Sequence, residues 1–408
     1  MAKEVSLYVH IPFCVRKCLY CDFLSFYADD FVMREYFDAL AKELKICGKL
    51  YGDRRVISIF FGGGTPSFPK SWEVCRLLDI IRDNFDVAED AEISLEVNPG
   101  SAIKGKLEDY RSAGFNRLSI GAQSLNDDEL KALGRVHDSA MFYRTYDAAR
   151  NAGFDNVNVD IMSALPGQTL QSYTETLRKV TDLRPEHISA YSLILEEGTP
   201  FYDMELDLPD EDTDRRMYHE TKSILADAGY HRYEISNYAL GADGDDRYEC
   251  RHNKVYWRRG DYLGVGLGSA SLMDSVRWSN IRGLEEYTSG LSQAEAETDI
   301  SFDRIGIREN IEQLSEKSQM EEFMFLGLRL TKGVSRQLFL RSFGRDMNEV
   351  YGDVIDKYVK MGLLEMTPGD GVSGSFCTDG NGVMDEYLRL TERGLDVSNT
   401  VMADFLLD

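Results

Sequence analysis

The sequence predicts an α/β fold: an open, partial (β/α)6 TIM-like barrel followed by a C-terminal α+β domain with a winged-helix-like order of elements. Three observations predict it. Six short β-rich runs alternate with helix-like stretches over the first half of the 408 residues, the pattern of a parallel sheet built from βα units. Charged or amide side chains and a run of glycines fall at or near the ends of those runs, where barrels of this kind carry their chemistry. Past residue 290 the alternation gives way to an acidic stretch, then to helices and a hairpin.

The β-rich runs are Ser6–His10, Val56–Phe61, Ile93–Val97, Arg117–Ile120, Val157–Ile161 and His187–Leu193. Between them Met33–Cys47 reads as a helix, and so does Leu170–Thr181, whose apolar positions Leu170, Tyr173, Leu177 and Val180 repeat at helical spacing. Right-handed crossovers curl such a sheet toward a barrel, and six units rather than eight leave it open. Leu291–Gln319 carries Glu295, Glu297, Asp299, Glu309, Glu312 and Glu316 with no apolar face, so a linker is expected there. Beyond it Glu321–Arg329, Ser335–Phe343 and Met347–Met361 read as helices, Leu363–Met366 and Glu386–Leu390 as a hairpin with a long turn, and Thr391–Val397 as a helix. The expected division is 1–240 for the barrel, 241–300 for an extension and 301–408 for the C-terminal domain.

Composition excludes several classes of function. Lys and Arg number 46 against 70 Asp and Glu, a net charge of −24, which disfavours phosphate backbones and anionic lipid. A winged helix invites a DNA-binding reading, but residues 321–408 hold nine Lys or Arg and fifteen Asp or Glu, a net of −6, and a packing or docking module fits better. The segment Met1–Val5 lacks the apolar core of a signal peptide and no apolar run could span a bilayer. Seven cysteines, four of them isolated at Cys47, Cys75, Cys250 and Cys377, do not form a disulfide framework. A reduced, cytoplasmic protein is expected.

Cys14, Cys18 and Cys21 are spaced C-x3-C-x2-C directly after the first strand. Three thiolates can hold three irons of a [4Fe–4S] cube whose full complement is four cysteines, leaving the fourth iron open to a small molecule. Zinc is the rival, but a closed zinc site wants four Cys or His ligands and no second pair follows; packing as small hydrophobes or a disulfide is the other alternative. The second strand runs into Gly62-Gly63-Gly64-Thr65, where missing Cβ atoms let the backbone approach a ligand, although a tight turn asks for glycine as well. Glu96, Gln123, Arg135 and Asp160 stand near the ends of later strands. Each alone reads as a hydrogen-bonded buried group; together they outline a polar mouth.

With these motifs the chain resembles a radical S-adenosylmethionine (SAM) protein of the oxygen-independent coproporphyrinogen oxidase-like group, over nearly its whole length. The resemblance implies a radical SAM type of barrel, with the methionyl amine and carboxylate of SAM on the open iron. It further implies Tyr8, Tyr20, Gly63, Gly64, Thr65, Glu96, Gln123, Arg135, Asp160 and Ile194 around SAM, and reductive cleavage of a C–S bond to a 5′-deoxyadenosyl radical. An electron donor for the cluster is implied too. Two features separate branches of the group. The true oxidase has a fourth cysteine as C-x-C, whereas here Cys21 is followed by Asp22 and Phe23. Downstream, His252-Asn253-Lys-Val-Tyr256-Trp257 is an H-N-x-x-Y-W run like that of the HemW branch, whose members are described as heme chaperones.

The expected function is heme binding and transfer to an acceptor protein, respiratory proteins being one class of acceptor. His252 is the expected iron ligand and Asn253, Tyr256 and Trp257 the expected heme contacts, an imidazole beside flat rings suiting a macrocycle. Cys250 is a second-ranked ligand. The alternative is a radical SAM enzyme, an oxygen-independent coproporphyrinogen III dehydrogenase or related porphyrin-modifying activity. No residue is assigned a catalytic role, and the reading leans toward a chaperone rather than an enzyme.

Overall fold

The computed structural model describes residues 3–101, 104–293, 306–369 and 385–407. They form two compact units: Met1–His231 with Ser236–His252 and Asp261–Glu312, and Arg232–Ile235 with Asn253–Gly260 and Gln313–Asp408.

In the first unit all six predicted strands are present as β1 (Glu4–Ile11), β2 (Arg55–Gly63), β3 (Asp86–Val97), β4 (Arg117–Gln123), β5 (Val157–Ser163) and β6 (His187–Ser192). They pair in parallel in chain order, and helices α1 (Asp30–Tyr51), α2 (Ser71–Asn84), α3 (Lys104–Ala113), α4 (Asp127–Ala132), α5 (Ser139–Asn151) and α6 (Leu170–Asp182) connect them. α1 starts where Asp29 accepts from the amides of Phe31 and Val32, and α6 where Thr169 and Ser172 cap each other's backbone. Period-two alternation sorts the strands into two faces. Val5, Leu7, Val9, Ile59, Phe61, Ile93, Leu95, Leu118, Ile120, Val159 and Ile161 belong to one apolar core with the helices. The opposite face brings together Ser6, Ser58 and Glu92, then Tyr8, Phe60, Ser94 and Arg117, in pairing register. The barrel interior is therefore polar by construction.

The sheet is larger than the sequence foretold. Its order is β12-β11-β10-β9-β1-β2-β3-β4-β5-β6-β8-β7, with the added strands β7 (Tyr230–Arg232), β8 (Asn237–Leu240), β9 (Tyr262–Val265), β10 (Ala270–Met273), β11 (Val276–Asn280) and β12 (Arg308–Gln313). These runs of three to six residues are too short to show an alternation of their own. Part of the 241–300 stretch lies in this sheet: β9 pairs in parallel with β1, and β10 and β11 follow as an antiparallel hairpin. The expected linker is partly structured, since Arg308–Gln313 is β12 and a helix starts at Glu316; its residues 294–305 lie outside the described residues.

The second unit has helices Glu316–Gly327, Arg336–Phe343 and Met347–Lys360, and an antiparallel sheet of Val334–Ser335, Glu386–Leu390 and Leu364–Pro368. Its core includes Met324, Phe339, Tyr351, Leu388 and Phe405. The expected long turn of the hairpin falls outside the described residues. The last expected helix is two short ones, Glu392–Leu395 and Ser398–Ala403. Among the described residues no helix is long and apolar enough to cross a membrane.

Candidate functional site

The cysteine loop leaves the C-terminal end of β1 and is held on both flanks. The Cys14 amide donates to Phe26 O at 2.9 Å and the Phe26 amide to Pro12 O at 2.8 Å; the Leu19 amide donates to Leu133 O at 3.1 Å. Cys14 is buried, Cys18 and Cys21 half-buried. The glycine run abuts the loop: the Gly64 amide donates to Ile11 O and the Thr65 amide to Phe13 O, both at 2.9 Å. Thr65 Oγ1 lies 3.3 Å from Cys14 Sγ, within hydrogen-bond reach, and accepts from Asn98 Nδ2 at 2.7 Å. Arg135 donates to Asn98 Oδ1 at 2.9 Å and Gly121 O at 2.6 Å, and points Nη1 at Cys18 Sγ, 3.6 Å away. Asn98, which the sequence reading passed over, thus joins the glycine run to Arg135; its only signal was an amide before Pro99 at a strand end.

Two carboxyls face the interior. Glu96 Oε2 accepts from the Gly63 amide at 3.1 Å; burial first, and the charge of Asp160 second, push its pKa up to about 8. Asp160 accepts from Asn158 at 2.7 Å and Ser119 at 3.2 Å, and burial raises its pKa as well. Gln123 holds a left-handed backbone, φ 66°, uncommon for a residue with a Cβ, and its Oε1 accepts from Tyr191 OH at 3.2 Å. On β1, Leu24 O can only accept, so His10 Nε2 carries the proton at 2.9 Å and Nδ1 accepts from Tyr8 OH at 3.1 Å. His10 is thereby a positioning group for the loop. Contacts therefore tie Gly63 to Glu96, and Thr65 through Asn98 to Arg135, and set Tyr8 against His10. Tyr20 packs toward Phe201, and Ile194 is an exposed residue, 68% accessible.

The donor set fits an iron–sulfur cube better than a single ion. Three thiolates in one loop match a cube, which spreads its cysteines over three irons, whereas a closed zinc site wants four Cys or His ligands. Burial raises the Cys14 and Cys21 thiols, and each is raised further by charge on Cys18, so the three sulfurs share one electrostatic neighbourhood. Arg135 supplies a compensating positive charge there.

The H-N-x-x-Y-W run is placed differently from a surface heme ligand. His252 lies in the first turn of helix α7 (Arg251–Trp257) and is 1% exposed. Its Nδ1 is 3.0 Å from Ser58 Oγ, which meets Ser6 Oγ at 2.6 Å, and its ring stacks on Phe60 at 5.1 Å. Burial lowers its pKa to about 3, so the imidazole is neutral. Glu92 accepts from the amides of Arg251 and His252, both at 3.1 Å, and from Cys250 Sγ at 3.5 Å, and lies 4.0 Å from buried Arg117. Residues of β1, β2 and β3 thus enclose this imidazole inside the barrel. Asn253, Tyr256 and Trp257 fall in the second unit, where Arg329 covers the Trp257 ring at 4.2 Å.

The profile of the Radical SAM superfamily matches residues 8–180, and that of the HemN C-terminal domain residues 314–369. A protein named heme chaperone HemW from Lactococcus lactis is 32% identical over 412 residues, covering 100% of this chain and 99% of its own. The chain belongs to the HemW family. Another protein named heme chaperone HemW, from Escherichia coli K12, is 40% identical over 266 residues, 65% of this chain and 69% of its own. Among solved structures, coproporphyrinogen III oxidase (HemN) from Escherichia coli, described as a radical SAM enzyme, superposes with a TM-score of 0.80 at 24% identity, over 99% of this chain and 90% of that one. That likeness bears on the fold, which is the radical SAM type of open α/β barrel with a C-terminal domain. The Lactococcus lactis relative aligns over the whole chain, the residues of both units included.

Proposed function

We propose that this protein binds heme and passes it to an acceptor protein, and that Cys14, Cys18 and Cys21 hold a [4Fe–4S] cluster whose open iron takes SAM. The observation that supports this reading most is the end-to-end similarity to a protein named heme chaperone HemW. Phe23, 67% exposed, stands where the related oxidase carries its fourth cysteine, and that weighs against the coproporphyrinogen dehydrogenase alternative.

In this reading Gly63 and Gly64 bring bare backbone to the ligand, and Arg135 balances thiolate charge. Glu96 and Asp160 offer carboxyls to the cationic groups of SAM, with Tyr8, Tyr20, Thr65, Gln123 and Ile194 completing the surroundings. When bound, cluster and SAM supply one-electron reducing chemistry at the sulfonium; the chain's own residues bind, orient and exclude water. His252 is the neutral donor for heme iron, released from Ser58, and Asn253, Tyr256 and Trp257, which follow it in the chain, are heme contacts. Heme, an acceptor and an electron donor are the proposed partners, in the cytoplasm.

The test is transfer. Chain loaded with hemin, separated from free hemin and mixed with a heme-free acceptor should lose its Soret band as the acceptor gains one. Absence of hemin binding refutes the reading, and so does conversion of coproporphyrinogen to protoporphyrinogen by anaerobic, reduced, SAM-supplied protein without any transfer.

A further inference from the structure

A cleft of about 250 Å³ opens between the N-terminal ends of α1 and α2, walled by Phe31, Met33, Phe37 and Trp72 and edged by Arg34 and Lys70. Phe31 is 68% and Trp72 50% exposed, and two large rings left in water beside one cleft mark a contact surface. We propose that this cleft is a docking site for heme, held by its apolar edge against Trp72 and Phe31 with its propionates on Arg34 and Lys70. The inference rests on the heme-binding reading above and adds a place for the cargo other than the H-N-x-x-Y-W run.

Charge, access and position favour heme over other occupants. Of the two acidic groups at the cleft, Asp30 is paired 2.7 Å from Lys70 Nζ, and Glu73 lies 3.3 Å from Arg76 without a hydrogen bond to its buried Oε2. Arg34 is exposed; its charge acts on Asp30 and Glu73, but among the described residues no hydrogen bond or ion pair fixes its guanidinium, which can turn to an incoming carboxylate. The Lys70–Asp30 pair is exposed on both sides, and such pairs contribute little and exchange readily. The cleft is smaller than the roughly 300–1,000 Å³ of sites that engulf a ligand, so a macrocycle stands partly out of it, as a cargo that must be handed on requires. His252, 1% exposed, offers no such access. Phe37 also packs on Phe13 at 6.4 Å, immediately before Cys14, so the cargo sits one ring layer behind the cysteine loop.

The test titrates the full-length, anaerobically purified chain with hemin, following the Soret band and quenching of the three tryptophans. Phe31→Ala with Trp72→Ala should weaken binding by about tenfold or more, as should Arg34→Glu, an exposed change that spares the core. Trp72→Phe should keep the affinity and remove part of the quenched fluorescence. Wild-type affinity in Phe31→Ala/Trp72→Ala and in Arg34→Glu, with loss in His252→Ala, overturns the cleft and leaves the heme-binding reading standing. No binding of hemin to the wild type overturns both. Unchanged hemin binding, with loss only of co-purified acceptor in these variants, assigns the cleft to a protein partner instead and overturns the proposal.

Discussion

Gly64→Ala is a one-carbon change aimed at the cysteine loop. A Cβ there would stand 2.9 Å from Phe13 O, 3.0 Å from Cys14 Sγ and 3.0 Å from the Pro12 carbonyl carbon, two of the three being backbone. Recoil is blocked, because the Gly64 amide is bonded to Ile11 O and the Thr65 amide to Phe13 O. Something must yield: either those bonds stretch or Cys14 is displaced from Thr65. Overpacking of this kind costs about 1–3 kcal/mol. If the strain is felt mainly by the loop that receives iron, cluster retention falls by about 5- to 150-fold. The assay is anaerobic reconstitution with limiting iron, measuring iron and sulfide per chain and their loss to a chelator. Gly105→Ala is the control, since nothing lies within 4 Å of its Cβ position; it should load as the wild type does. Wild-type retention in Gly64→Ala would refute the claim that the glycine run makes room for the cysteine loop.

Three further outcomes are expected. Glu96 has its pKa raised from 4.5 to about 8. In that window the native chain holds a proton the unfolded chain has released, so its contribution is intact below the unfolded value and lost as pH rises through the native one. Glu96→Gln in the metal-free chain should therefore gain stability relative to wild type between pH 5.5 and pH 8.5 by urea denaturation; an unchanged gap contradicts the assignment. Glu43 is 1% exposed and accepts from the Gly266 amide at 2.7 Å, Asn280 Nδ2 at 2.6 Å and Tyr287 OH at 2.5 Å, tying α1 to the strands beyond β9. Glu43→Ala strands three buried donors and should cost about 3 kcal/mol or more in chemical denaturation; a near-neutral result would mean water replaces the carboxylate. His252→Ala removes a stacked, fully buried ring and should destabilise by about 2–4 kcal/mol, so heme titrations with it need a paired melting curve; a loss below about 0.5 kcal/mol speaks against its burial.

What was legible in the sequence is what repeats or clusters locally. Strands β1 to β6 announced themselves through β-branched runs between helical stretches, and the cysteine triplet through its spacing. Their ends were underestimated, as at β3, which starts at Asp86 rather than Ile93, because exposed Asp86, Glu89 and Asp90 interrupt the apolar run there. β7 to β12 were missed because strands such as Tyr230–Arg232 take their stability from neighbours distant in sequence rather than from their own pattern. The polar mouth was half legible. Glu96, Arg135 and Asp160 stood out as charges in apolar company, whereas Asn98 and Tyr191 act through partners that only the folded chain brings near. His252 shows the limit most clearly. Its motif was readable, but the serine, phenylalanine and glutamate that hold it inside the barrel lie about 160 or more positions away.

The most direct test of the central claim counts iron and then adds SAM. Anaerobically reconstituted protein should carry about four irons and four sulfides per chain, and SAM should change the EPR spectrum of the reduced cluster, with Cys14→Ala, Cys18→Ala and Cys21→Ala each abolishing both. Two irons or one zinc per chain, or a four-iron spectrum indifferent to SAM, would contradict an open-iron cluster on these three cysteines.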